Sequence, residues 1–340
     1  MRSRCGFAAC RLVRLPRRVP TLVTLHAVDK PFSELDHAQV RRQFARAAPT
    51  YAAAAVLARE VERRMLERLD YVKLEPGCIV DAGCGTGAGL RELAHRYPAA
   101  RLVGIDAAEP MLRGALRTAT LGERARSLFG RGGPRFVCAD MRALPLAGGG
   151  CGLLWSNFGL AFSGEPQAVL REFARVLEPG GLLMFSAYGP DTLRELRTAF
   201  AQVDESAHVH DFADMHDLGD MLSENGFATP VMDMEMLTLT YPNATALARD
   251  LRAGGQTNAL LSRRRGLTGK GRWQRMTAAY ERAFRHQAEG GAGAQTEVNE
   301  LQGGRIRASF EVVYGHAWKG APRSNKPAVV KFDFPRKKES

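Results

Sequence analysis

The chain has 340 residues, 45% of them hydrophobic, enough to bury a full core and to fill two domains or one domain with large insertions. Its net charge of +12 sits at the ends: residues 1–28 hold six Arg and no acid, and residues 319–340 hold seven Lys or Arg against two acids. A nearly neutral middle lacks the broad basic face of a dedicated nucleic-acid binder, and no apolar run reaches the roughly 18 residues a membrane-spanning helix needs.

Residues 1–30 read as a basic, disordered arm. Their Arg-rich, acid-free composition also resembles an organellar transit peptide, although Pro16 and Pro20 interrupt the amphipathic helix such a signal uses. The expected location is cytoplasmic, or mitochondrial if the arm is a transit peptide. The six cysteines, Cys5, Cys10, Cys78, Cys84, Cys138 and Cys151, show neither C-x-x-C nor zinc-finger spacing, so no disulfide and no metal site is expected. The last four fall in apolar runs, where Cys behaves as a small core residue.

Residues 31–75 are expected to be helical from Asp36 to Leu69, with a break at Pro49, and to cover a cofactor. Residues 76–242 then alternate short apolar runs, CIVDAGCG (78–85), ARLVGIDA (100–107), RFVCADM (135–141), CGLLWSN (151–157) and GLLMFSAYG (181–189), with amphipathic segments such as PQAVLREFARVL (166–177). That alternation predicts βαβ units and an α/β fold: a Rossmann-like, seven-stranded, mostly parallel sheet with helices on both faces. A further helix is predicted after Gly189-Pro190, with Asp191 and Glu195 at its start. PVMDMEMLTLTY (230–241) and RASFEVVYGHAW (307–318) alternate as late strands. Between them, residues 243–306 read as a helical lid insertion with the glycine-rich loop EGGAGAQ (289–295), and residues 307–318 as the last strand of the core sheet. A basic tail, 319–340, follows.

Asp81, Gly83, Cys84, Gly85 and Gly87 form a glycine-rich turn between a strand and a helix, where the backbone can approach a ligand closely and free N–H groups meet it. Asp106 ends the next strand, placed to accept from both ribose hydroxyls, with Ala107 and Met111 just beyond it. Asp140 ends a third strand, placed to accept from an adenine amino group, and Met141 can pack on the ring. The relaxed G-x-G-x-x-A pattern at Gly83, Gly85 and Ala88 also allows a nicotinamide dinucleotide. Asp81 favours S-adenosylmethionine, whose ammonium and sulfonium it would attract, over a pyrophosphate, which it would repel. Ser156 and Asn157, ending the fourth strand, are expected to line the methyl-transfer position.

The motifs QFARAAPTY (43–51), VDAGCGTG (80–87), CADMRALPL (138–146), LLWSN (153–157), RVLEPGGLLMFSAYGPDTLREL (175–196), HVHDF (208–212) and RDLRAGGQTN (249–258) together resemble the biotin-synthesis methyltransferases that O-methylate malonyl-acyl carrier protein. The resemblance runs from about Val40 to Trp318. It implies that Tyr51 closes over the methyl-bearing end of the cofactor, that Arg249 pairs with the substrate carboxylate, and that acyl carrier protein is the partner. The basic run Arg263, Arg264, Arg265, Lys270, Arg272 and Arg275 is a solvated face or a dock for that acidic carrier. The sequence departs from the family at Ala161 and Phe162, where Gln-Trp is usual, which puts the acceptor in doubt. Two other readings stay open: a complex I assembly arginine hydroxylase-like protein on the same fold, and a module that binds the cofactor without turnover. His208 and His210 read as surface or lid contacts.

Overall fold

Of the first five apolar runs, the inner ones become strands buried on both faces, as parallel sheets require, and the third forms an edge of the sheet. The computed structural model describes residues 34–118, 133–266, 268–285 and 304–320. The arm at 1–30, the glycine-rich loop 289–295 and nearly all of the tail lie outside the described residues. Strands β1 (Cys78–Ala82), β2 (Arg101–Asp106), β3 (Arg135–Cys138), β4 (Cys151–Ser156) and β5 (Leu177–Tyr188) run parallel, and β6 (Phe227–Tyr241) and β7 (Ile306–Lys319) complete one sheet in the order β3-β2-β1-β4-β5-β7-β6. Only β7 is antiparallel to its neighbours, β5 and β6. The order reverses at β1, which pairs with both β2 and β4, so the carboxyl ends of these strands splay around a crevice.

Helices cover both faces. On one, α2 (Val56–Arg68), α3 (Ala88–Arg96), α6 (Arg194–Ala201), α8 (Ala244–Ala253) and α9 (Lys270–Phe284) bury Val61, Met65, Leu90, Leu93, Ala199, Leu247 and Tyr280 against the sheet. On the other, α5 (Pro166–Val176) and α7 (Met215–Glu224) bury Val169, Leu170, Phe173, Leu218 and Leu222. Above the carboxyl ends of the strands, α1 (His37–Ala54) packs Ala47 against Met111 of α4 (Glu109–Arg117).

The structure differs from the sequence reading at several boundaries. Pro49 does not break α1, which continues to Ala54. Packing of α1 on α4 and α8 outweighs the single hydrogen bond a proline removes, and Thr50 Oγ ties the turn to Ala47 O and Ala253 O at 3.0 and 2.9 Å. Asp191 does not start α6. Leu193 takes a left-handed conformation (φ 54°) while its N–H donates to Ser309 O at 2.7 Å, so the helix begins at Arg194. β6 starts at Phe227, with Thr229 at φ 47° and a register shift between Ala228 and Val231 that accommodates Pro230 in an edge strand. Cys138 is exposed rather than a core residue, because β3 is the other edge.

The segment between β6 and β7 is stitched to the N-terminal helix. Asp36 N–H donates to Ala259 O and Leu261 N–H to Glu34 O, both at 2.8 Å, while Arg263 pairs with Asp36 at 2.8 Å. Thr257 Oγ donates to Gln43 at 2.6 Å. His210 is buried, not a surface residue: its Nε2 accepts from Ala259 N–H at 2.9 Å, which fixes the neutral tautomer.

Burial pushes the His210 pKa down from 6.5 to about 4. As pH falls below 6.5 the unfolded chain takes up a proton that the folded chain resists, so this residue's contribution to stability is complete above 6.5 and is lost towards 4. Denaturant unfolding at a series of pH values should therefore show stability falling across that interval, and His210→Gln should flatten the decline; an unchanged slope would contradict the neutral assignment.

Candidate active site

The turn after β1 is left-handed at Gly83, Gly85 and Gly87, with φ of 80°, 52° and 73°. Gly83 and Cys84 donate their N–H groups to Ile105 O at 2.8 and 3.0 Å, which locks the turn onto β2. Gly85 N–H donates to Asp106 Oδ2 at 2.9 Å, and Asp106 Oδ1 accepts from Ala108 N–H at 2.8 Å. The Tyr51 ring packs over Gly85, where the φ of 52° rather than lack of space calls for glycine.

One cleft of about 940 Å³, open mouth included, lies over these strand ends. Tyr51, Gly83, Gly85, Asp106, Ala107 and Met111 line it on one side. Asp140, Met141 and Asn157 line the other, so nine of the residues expected from sequence meet in one place. Asp140 is held by Arg142, whose Nη2 and Nε reach its carboxylate at 2.7 and 3.1 Å, and this pairing lowers its pKa. Arg142 also bonds Glu165 and lies 2.8 Å from His37 Nε2.

Other expected residues fall elsewhere. Cys84 is buried with Sγ against Gly104, and Gly87 packs on Phe136, so both support the turn from behind. Ser156 does not line the cleft: fully buried, it donates its hydroxyl to Ala82 O at 2.7 Å and ties β4 to β1. Arg249 is exposed on α8 and does not line the cleft either. His208 is stacked on Phe200 and bonded to Asp204, a structural contact. Asp81 lies below the turn, 4% exposed, and burial followed by the charges of Glu62 and Asp106 pushes its pKa well up.

Sequence reasoning missed Glu62, Gln256 and Arg142, and gave Phe162 only as a departure from the family. Glu62 of α2 lies close to Asp81 and accepts from Trp155 Nε1 and Asn157 Nδ2 at 2.7 and 2.9 Å; burial pushes its pKa up to about 7. Phe158, at φ 57°, stacks on Tyr188 at 4.1 Å, and Phe162 meets Phe44 edge-on at 5.0 Å, giving the cleft an aromatic wall. Gln256 lines the cleft and donates to the Tyr188 hydroxyl at 3.0 Å. Arg142 supplies the counter-charge at Asp140. Only Gln256 lay in a quoted motif with a signal of its own, the paired glycines before it.

A pyrophosphate does not fit this floor. Asp106 at the cleft wall, with Asp81 and Glu62 behind it, brings three carboxylates together, and the forces on them are burial, neutral N–H donors and neighbouring carboxylates, Glu92 included. A ligand that brings its own positive charge fits.

A methyltransferase domain model matches residues 80–185. A malonyl-acyl-carrier-protein O-methyltransferase of Gallionella capsiferriformans is 46% identical over 88% of this chain and 97% of its own length. The chain belongs to this family. A second member, from Nitrosospira multiformis, is 47% identical over 86% of this chain and 92% of its own length. Among solved structures, the YcgJ protein of Bacillus subtilis aligns at a TM-score of 0.49 with 15% identity, over 76% of this chain and 100% of that one. As a member of the family the chain is an S-adenosylmethionine-dependent methyltransferase.

Asp106 organises the turn as well as facing the cleft. Asp106→Ala should weaken S-adenosylhomocysteine binding at least about a hundredfold, through two lost backbone partners and the lost ribose acceptor, at a stability cost of about 1–3 kcal/mol. Calorimetric titration alongside thermal unfolding checks this, and retained affinity would show that the ribose contact lies elsewhere.

Proposed function

We propose that the chain transfers a methyl group from S-adenosylmethionine to the free carboxylate of malonyl-acyl carrier protein, or of its CoA thioester, as a step of biotin synthesis in the cytoplasm. The supporting observation is the near full-length match to relatives of that name, joined to a cleft over the glycine turn that Asp106 and Asp140 line at two strand ends. Among the described residues the four cysteines are free thiols, in line with a reducing compartment. No helix among them is long and apolar enough to cross a membrane.

When bound, the cofactor supplies an electrophilic methyl on a sulfonium. In this reading Asp106 holds the ribose, Met141 and Asp140 the adenine, and Gly83, Gly85, Ala107, Met111 and Asn157 shape the remaining wall. Tyr51 keeps its proton, because burial and then the charge of Asp106 raise its pKa, and it stands over the turn as a neutral hydroxyl that excludes water. A malonyl carboxylate has a pKa at or below the ~3.9 of Asp, so it arrives as the anion and no general base is needed. The residues have to align and desolvate it.

Phe162 lines the cleft as an apolar ring and Ala161 lies outside it, at the two positions where the resemblance implies Gln-Trp, which favours a related acceptor as the second reading. For docking, Arg263 and Arg272 are engaged by Asp36 and Asp204, which leaves Arg264, Arg265, Lys270 and Arg275 exposed to meet an acidic carrier.

Incubation with labelled S-adenosylmethionine and malonyl-acyl carrier protein should add one methyl to the malonyl group, read by mass. Bound cofactor without transfer would overturn the acceptor. Arg249, exposed on α8, is assigned to the carboxylate by resemblance; Arg249→Ala should raise KM for the carrier about tenfold or more and leave S-adenosylhomocysteine affinity unchanged. An unaltered KM would remove Arg249 from the site.

A further inference from the structure

A second cavity, of about 390 Å³ with its open mouth, adjoins the cleft. Tyr51, Ala58 and Gln256 line both, so the two spaces meet at the ring that stands over the glycine turn. The cavity lies where α1 hands over to α2, beside α8 and the end of β6. Ala55 leaves helical geometry between the two helices (φ −76°, ψ 41°), and the small residues Ala54, Ala55, Ala58 and Gly254 leave room there. Leu57, Leu239, Leu251 and Phe310 make much of the remaining wall apolar.

One carboxylate interrupts that wall. Leu239 and Tyr241 share a face of β6 by strand alternation, and the Tyr241 hydroxyl donates to Asp250 Oδ2 at 2.8 Å. Burial, and then this bond, raise the Tyr241 pKa, so the phenol keeps the proton it donates. The bond fixes the Asp250 side chain on α8, while its Oδ1 accepts from no described residue. Of the adjacent pair Arg249 and Asp250, only Asp250 lines the cavity. A carboxylate oxygen presents acceptors alone, so Oδ1 can pair with an N–H and offers nothing to a carbonyl or a second carboxylate.

An acceptor with that chemistry has its own carboxylate at the leading end and a neutral, N–H-bearing chain behind it. A malonyl thioester is built this way: past the sulfur, the first hydrogen-bonding group of the carrier's arm is an amide. We propose that the second cavity receives the thioester arm and that Asp250, held by Tyr241, accepts the N–H of the arm's first amide, which makes Asp250 a specificity-determining residue and Tyr241 its positioning residue. The inference rests on the malonyl-thioester reading and deepens it. The carboxylate is then presented at Tyr51, the apolar wall takes the alkyl and sulfur atoms of the arm, and a free diacid, with no N–H to offer, leaves Asp250 unpaired.

Two small acceptors separate this role from a structural one: the malonyl thioester of N-acetylcysteamine, which carries the amide, and the malonyl thioester of 2-acetoxyethanethiol, which puts an ester oxygen in place of that N–H. The unaltered protein should show a KM about ten- to a hundredfold lower for the amide. Asp250→Ala should bring the two values together and raise KM for malonyl-acyl carrier protein about tenfold, with S-adenosylhomocysteine affinity unchanged; Tyr241→Phe should narrow the gap in the same direction. Equal KM values for the two thioesters in the unaltered protein would overturn the proposal whether or not either variant folds. So would a preference for the amide that survives Asp250→Ala, or a carrier KM that the substitution leaves alone. If the unaltered protein methylates neither the carrier nor either thioester, the acceptor reading itself falls.

Discussion

The structure is organised around a concentration of negative charge that the protein does not itself neutralise. Glu62, Asp81 and Asp106 are withdrawn from water at the carboxyl ends of β1 and β2, and burial raises the pKa of each. Removing an ion from water costs several kcal/mol even after relaxation. Part of that cost is offset locally: Asp106 accepts two backbone N–H bonds and Glu62 two side-chain N–H bonds. At Asp81, burial followed by the charges of Glu62 and Asp106 raises the pKa well above the usual carboxylate range.

The surrounding architecture is built around these strand ends. A sheet that reverses its order at β1 opens the crevice, three left-handed glycines let the chain turn within it, and α1 lies across the top with the Tyr51 ring on Gly85. The cover is not α1 alone. Residues 256–261 bind it through Gln43, Asp36 and Glu34, and Gln256 reaches in to Tyr188, so the segment between β6 and β7 and the N-terminal helix form one piece. On that side the cleft has an aromatic wall of Phe44, Phe158 and Phe162. An apolar wall of this kind excludes water from a group held against it.

Much of the fold was legible because parallel strands buried on both faces leave continuous apolar runs, and the glycine turn and the strand-end acids at Asp81, Asp106 and Asp140 carry local signals. What escaped was decided by tertiary contact. Pro49 reads as a helix breaker, yet packing carries α1 through it. Leu193 gives no sign of a left-handed turn, because the cause is a hydrogen bond to Ser309, more than a hundred residues away. Ser156 and Asn157 are adjacent and alike in character, but strand alternation sends one hydroxyl to Ala82 beneath the turn and the other side chain to the cleft and Glu62. Glu62 itself sits on a helix rich in Arg and Glu, where nothing in the pattern separates it from Glu60 or Glu67, which pair with Arg63. Only the fold brings Glu62 to Asp81.

The most direct test of the acidic-cleft account is a crystal structure of the chain with S-adenosylhomocysteine at saturation. The account places the ribose on Asp106, the adenine between Met141 and Asp140, and the methionyl end over the glycine turn. A ligand found outside this cleft, or inside it with the adenine at the turn and the methionyl end towards Asp140, would contradict it.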